Sequence, residues 1–399
     1  MAVRAVPVVS DPTLLAEIRR FGTFDSSACY QCGSCTLSCD LVSADASFPR
    51  KSIRYALLGL RAPLLGSLEP WVCHDCGDCS DVCPRHAEPR LSMATLRRYL
   101  TAQYDWSGIS ARLLQSKAWY LGALIGTAVF TFMLIVGYHL WYVKMAAGDF
   151  ARTALGLDHM FPIIIYYTLV VTLVPLALLA SRVHRVWALA MKAGGQPKIP
   201  FSIYVREAGF YLYESASQRF MRKCPKKGRF LGHYLLASGT VLMLIIKVCG
   251  LRWFQTDALY PIYNPQRWLG YIGAICILYG IADILGGRWR AEEEIYKETT
   301  FNDLVFPVLM ALVVLTGLTA HVLRYSGIEL GCHYAYALHI MAATPLLLVE
   351  MSFGKWSHMV YRPLALYFLD VRQRAARQAP AGARGCGPLR LRRLSGWRR

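Results

Sequence analysis

The hydrophobic pattern changes near Ala118. Before it, apolar residues recur at helical spacing in two stretches, Pro49 to Leu60 and about Leu91 to Tyr104, and strand-like alternation is scarce. After it come six apolar runs, at about 118–143, 160–181, 231–250, 268–287, 301–324 and 333–356. Each is near the ~20 residues that cross a ~30 Å hydrocarbon core. Backbone groups in lipid need internal partners, so these runs should be helices. Lys144 closes the first run and glycines dilute the fourth, which makes these two the weakest spans. The pattern predicts an all-α protein with a helical soluble domain over 1–105. A transmembrane domain over 106–366 follows, then a basic, irregular tail over 367–399.

Composition supports this division. Of 399 residues, 55 % are hydrophobic and 17 % charged, against about a quarter charged in ordinary soluble domains. The formal net charge of +19 could indicate nucleic-acid binding, but the basic residues lie mostly in connections between apolar runs. The 182–230 connection carries eleven Lys/Arg, and the segment from Tyr361 onward ten Arg. The connections 144–159 and 251–267 carry two each, and 325–332 none. The positive-inside rule therefore places the N-terminal domain, the 182–230 and 288–300 connections and the tail in the cytoplasm, with the spans in the inner membrane. Anionic lipid headgroups offer the basic loops a further partner.

Eight of the thirteen cysteines form two runs, Cys29, Cys32, Cys35, Cys39 and Cys73, Cys76, Cys79, Cys83. The start of the chain has no continuous apolar segment of the kind that directs export, so these thiols are expected in a reducing compartment, as ligands rather than disulfides. Both runs have the spacing C-x2-C-x2-C-x3-C, and Pro84 follows the second. This is the two-cluster ferredoxin run, in which the fourth cysteine of each run serves the other cluster. The expected [4Fe–4S] ligand sets are Cys29, Cys32, Cys35, Cys83 and Cys73, Cys76, Cys79, Cys39. Gly33 and Gly77 give the backbone freedom to fold around a cluster. Structural zinc draws its four ligands as separated pairs and fits two consecutive four-cysteine runs poorly. No C-x-x-C-H occurs, so covalent haem c is not indicated.

Histidines within or beside the spans are candidate axial ligands of haem b. His233 and His358 share the inner side. His339 and His321 share the outer side, where His139 competes. His339 and His358 are nineteen residues apart, about 28 Å along a helix but about 100° apart around it. A kink or bulge near Pro345 would restore their alignment. Lys247 and Glu350 are candidates for proton transfer or for hydrogen bonding a quinone, and equally for a snorkelling lysine and a paired carboxylate.

Several segments resemble known proteins. Cys29-Tyr-Gln-Cys-Gly-Ser-Cys35, Phe48-Pro-Arg-Lys-Ser-Ile-Arg54, Trp71-Val-Cys-His-Asp-Cys-Gly-Asp-Cys-Ser80 and Cys83-Pro-Arg-His-Ala-Glu-Pro89 resemble the C subunit of heterodisulfide reductase. The membrane part, ending His358-Met-Val-Tyr-Arg-Pro363, is similar to the cytochrome b subunit of nitrate reductase. The fusion resembles the C subunits of quinone-interacting membrane-bound oxidoreductase (Qmo) complexes. That resemblance implies an α-helical ferredoxin domain on a haem b bundle. Electrons would pass between menaquinone and adenylylsulfate reductase by way of two flavoproteins resembling the A subunit of heterodisulfide reductase. It also implies that His358, and His233 by position, hold an inner haem. Two departures concern an outer haem: the His339–His358 spacing is one residue longer than the nitrate-reductase pattern, and Met243 stands where that pattern has a second histidine. The outer haem then uses Met243, uses His321, or is absent. Two other readings compete: a heterodisulfide-reductase-like or sulfite-reduction-linked quinone module, and a redox-sensing membrane receptor. The first differs in its partner proteins. The second predicts clusters without haem.

Overall fold

The computed structural model describes residues 9–25, 28–41, 47–144, 155–192, 199–218, 227–292, 294–354 and 358–378. Among these there are helices and no strands. They form two compact units. One comprises residues up to 115 together with 180–217 and the segment from His358, and the other comprises 116–179 and 218–357.

The first unit opens with short helices: α1 (Leu14–Arg19), α2 (Ser34–Leu37), α3 (Arg50–Leu57), α4 (Arg61–Leu65), α5 (Glu69–Val72) and α6 (Asp78–Asp81). Of these α1, α5 and α6 pack on the sixteen-residue α7 (Pro89–Tyr104), α3 packs on α1 and α4, and α8 (Ile109–Gln115) follows. Pro89 starts α7 where a missing N–H costs nothing. Met93, Leu96, Leu100 and Tyr104 then recur at helical spacing and are all buried, with Leu14, Ile18, Leu64 and Trp71 completing the core. Arg61 closes one edge by donating to Asp11 Oδ2 at 2.6 Å, Glu17 Oε1 at 2.8 Å and Tyr99 Oη at 3.0 Å.

The second unit holds most of the apolar helices. They are α9 (Lys117–Gly137, continued by a π-helical turn Tyr138–Val143), the start of α10 (Leu157–Lys192), α12 (Lys227–Cys249), α14 (Pro265–Arg290), α16 (Phe301–Tyr325) and α17 (Glu329–Pro345). Short α13 (Leu251–Phe254) and α15 (Glu294–Lys297) lie in the connections. A π-helical turn, Leu346–Glu350, and α18 (Met351–Phe353) extend α17. Among the described residues six helices are therefore long and apolar enough to cross a membrane, within a few residues of the predicted runs except that the second continues to Met191. α12 packs on α14, α14 on α16, α16 on α17 and α17 on α9.

The α12–α14 seam is built on glycine. A Cβ at Gly280 would sit 2.5 Å from Leu236 Cβ, and one at Gly239 would sit 2.9 Å from the Gly273 carbonyl. Gly232 and Gly239 are seven residues apart, as are Gly273 and Gly280, so each helix presents two bare patches on one face. Met243 fills the seam, its sulfur 2.7 Å from where a Cβ of Gly273 would lie.

Two expectations change. The sixth span ends at Phe353, and Gly354 is extended. His358 opens a separate helix, α19 (His358–Gln378), instead of ending the span. Residues 367–378, expected to be irregular, are part of α19 because that helix has packing partners. It lies against α5 and against α11 (Phe201–Ser217), both within the first unit. The tail beyond Gln378, with Cys386, lies outside the described residues, as does Cys224.

Candidate metal centre

The two cysteine runs fold into loops of matching conformation. In the first, Gln31 and Gly33 have φ of 56° and 93°. In the second, Asp75 and Gly77 have φ of 61° and 104°. Each glycine then caps a four-residue helix, α2 or α6, and these two helices pack on each other. The left-handed residues turn main-chain N–H groups inward. Asp75 N donates to Cys73 Sγ at 3.4 Å, and Ala87 N to Cys83 Sγ at 3.3 Å. Gln31 and Asp75 could not be singled out from the sequence, where only the glycines advertise positive φ.

The thiols gather in two sets. A cavity is lined by Cys29, Cys32, Cys35 and Cys83, together with Arg50, Ile53 and Pro84. Burial raises the Cys35 thiol pKa, and Cys29, Cys32 and Cys83 add to the rise. Burial pushes Cys39 up to about 12, helped by Cys73 and Cys76 across the pseudo-repeat. Cys79 is raised by burial and then by Cys73, Cys76, Cys39 and Cys35. Partly buried thiols that oppose one another's ionisation become thiolates only beside a compensating cation. Among the described residues, no three His, Cys, Asp or Glu side chains converge on one point as a single ion requires. A cubane offers a separate iron to each thiolate, and four thiols lining one cavity, three closely spaced in sequence and one remote, fit a [4Fe–4S] cluster.

The second loop carries a basic surround. Arg97 Nη1 donates to the Cys73 carbonyl at 3.5 Å, and Arg97 and Arg90 flank the Asp75 carboxylate at 3.4 and 3.8 Å. From α19, Arg362 Nη2 donates to His74 Nδ1 at 3.1 Å. Beside it Tyr361 is buried against Trp71, with ring centroids 4.9 Å apart, and against Tyr104 at 5.9 Å.

In the second unit, His339 Nδ1 lies 2.9 Å from the Val313 carbonyl. A carbonyl only accepts, so Nδ1 carries the proton and Nε2 the lone pair. The ring rests over Gly317, where a Cβ would come within 3.1 Å of it. His233 Nδ1 meets Gln218 Oε1 at 2.8 Å, which again leaves the lone pair on Nε2. This is the arrangement of a metal-ligating imidazole, in which the distal N–H fixes tautomer and ring orientation. His321 differs: Tyr271 Oη lies 2.7 Å from Nε2 and Arg267 Nη1 3.4 Å from Nδ1, so both nitrogens are engaged. His139 sits in the π turn after α9, its ring against Tyr138. The side chain of His358 lies outside the described residues, and His358 and His233 belong to different units. Glu350 is fully buried and accepts a hydrogen bond from Tyr120 Oη. Lys247 lies within electrostatic reach of His339.

Comparison with known proteins bears on the cysteine domain. Residues 25–87 match the 4Fe–4S dicluster domain. A heterodisulfide reductase C-subunit-like protein of Archaeoglobus profundus is 32 % identical over 100 residues, 25 % of this chain and 53 % of the relative. The second iron–sulfur C protein of the CoB–CoM heterodisulfide reductase of Methanocaldococcus jannaschii is 43 % identical over 70 residues, 18 % of this chain and 37 % of the relative. The C2 protein of the H2/formate:CoB–CoM heterodisulfide, ferredoxin reductase of Methanococcus maripaludis is 42 % identical over 76 residues, 19 % and 40 % of the two chains. The chain thus spans about half, or less, of the length of these relatives. No solved structure matches significantly. The N-terminal domain is thus similar to the iron–sulfur C proteins of heterodisulfide reductases, and its match to a 4Fe–4S dicluster domain supports two [4Fe–4S] clusters and an electron-transfer role.

Proposed function

We propose that the chain is the membrane electron-transfer component of a quinone-dependent oxidoreductase. It would link menaquinone through haem b and two [4Fe–4S] clusters to flavoproteins resembling heterodisulfide reductase A, and through them to adenylylsulfate reductase. In this reading Cys29, Cys32, Cys35 and Cys83 hold one cluster, and Cys73, Cys76, Cys79 and Cys39 the other. The grouping of the thiols across the two loops, with Cys29, Cys32, Cys35 and Cys83 lining one cavity, supports these sets. His233 and His358 are the proposed inner haem ligands, with His339 and His321 proposed for a second haem. The observation that carries the reading is the fusion of an eight-thiol domain to a six-helix unit whose His339 holds its Nδ1 proton on a carbonyl.

The bound groups supply one-electron chemistry. The chain's own residues fix its setting. Gly33 and Gly77 allow the loops to close on sulfur. Val313 orients His339, and Gln218 orients His233. Cys276 and Met243 pack in the α12–α14 seam, which leaves Met243 poorly placed as an axial ligand. For His321 to ligate, Tyr271 would have to give up its hydrogen bond.

A second reading is favoured by the relatives' names: a module for thiol–disulfide reduction through other partner proteins. Partner identification by affinity capture from native membranes separates the two.

The test of the main reading is a reduced-minus-oxidised visible spectrum of the detergent-solubilised protein. Haem and iron are quantified alongside, in wild type, His358→Ala and His339→Ala. A b-type spectrum that loses one haem equivalent on substitution supports it. Iron without haem in well-folded wild type refutes the haem route.

A further inference from the structure

Around the second cysteine loop, positive charge arrives from two places in the chain. Arg90 and Arg97 come from α7, and Arg362 from α19, some 260 residues later in the sequence. The Arg362 guanidinium donates to His74, the residue after Cys73. A guanidinium only donates, so His74 Nδ1 is the acceptor of this bond. Arg97 donates to the Cys73 carbonyl at 3.5 Å, so two guanidinium groups flank the Cys73–His74 turn. The Asp75 carboxylate on the same loop is shared between Arg90 and Arg97. Burial lowers Arg362 itself to about 10, with Arg97 adding to the effect, so it stays charged at neutral pH. The buried Tyr361 beside it, held by Trp71 and Tyr104, fixes where this charge sits.

A [4Fe–4S] cluster with four thiolates is anionic, and taking up one electron adds one more negative charge. A fixed cation nearby therefore stabilises the reduced form. We propose that Arg362 is a positioning residue for the cluster at Cys73, Cys76, Cys79 and Cys39. Anchored on His74, it raises the reduction potential of that cluster and leaves the cluster at Cys29, Cys32, Cys35 and Cys83 unchanged. The helix following the sixth span thus sets the electron affinity of one cluster of the pair. This inference rests on the two-cluster reading above.

The test is an equilibrium redox titration of the full-length, detergent-solubilised protein, followed by electron paramagnetic resonance of the two reduced clusters. Cys76→Ser, which changes one ligand of the second cluster, identifies its signal. In Arg362→Gln the reduced-to-oxidised ratio of that cluster at a fixed potential should fall at least about tenfold, the effect of a unit charge removed about 12 Å away at an effective dielectric near 20. The other cluster should stay at its wild-type midpoint, and Arg362→Lys should recover most of the shift. Unshifted midpoints, or equal shifts in both clusters, overturn the proposal. If Arg362→Gln fails to load iron, His74→Phe removes the anchor, and the same selective fall is required of it. Absence of both signals in iron-loaded wild type would instead refute the two-cluster reading.

Discussion

At the scale of single residues, the most exacting contact of the first unit is the ion pair of Asp105 and Arg182. Both side chains are fully buried and lie 3.1 Å apart. Burial raises the Asp105 carboxyl, but donors from Ser107 and Ser110 and the charge of Arg182 outweigh it, so the net shift is downward. Its stabilising contribution is therefore complete above the unfolded carboxylate range, near pH 4. It is lost as pH falls through the lower folded value. Asp105→Asn should cost about 3–5 kcal/mol, because a buried guanidinium is left without its counter-charge. Denaturant unfolding at pH 7 measures that cost, and a repeat at pH 3 should show a smaller difference from wild type. Gly77→Ala tests the cysteine loop. Its φ of 104° suits glycine alone, so the variant should lose iron from one cluster while keeping its helical content. Iron analysis with circular dichroism decides this. The cysteines and loop glycines were legible in the sequence because their spacing is rigid. The partners of His339 and His233 were not, since a carbonyl from another helix leaves no mark in a local pattern.

At the scale of elements, the six spans could be read because length and apolarity are properties of each run alone. Their ends could not. Whether a helix stops at Phe353 or continues depends on what packs beyond it, and α19 follows as a separate helix whose composition is too polar to read as a span. The nineteen-residue separation of His339 and His358 meets a π-helical turn at Leu346–Glu350, immediately after Pro345. Such a turn absorbs one extra residue, and the later break at Gly354 removes any single helical phase between the two histidines. The glycine seam of α12 and α14 gives a direct test. Gly280→Ala places a methyl 2.6 Å from the Gly232 carbonyl, and overpacking of this kind costs about 1–3 kcal/mol. A lowered melting temperature of the detergent-solubilised protein is expected. Gly126, whose Cβ would meet nothing within 4 Å, should accept alanine without loss.

At the scale of the whole molecule, the first unit is assembled from three stretches of chain separated by two spans and then by four. If each of these apolar helices crosses a membrane, the even numbers put all three stretches on one face of it. A chain truncated after Gly354 should leave Trp71 and Tyr104 without Tyr361. Limited proteolysis should then cut within residues 9–115 faster than in the full-length protein, with iron content reduced. Equal protease resistance and iron would show that α19 is dispensable to this unit.

The late return of α19 also orders events in the cell. The cysteines leave the ribosome early, yet the helix that packs on α5 and brings Arg362 to His74 is made only after all six spans. On the membrane reading, Arg362 therefore reaches His74 only after the sixth span has been made, and a chain stalled before that point lacks the contact between α5 and α19.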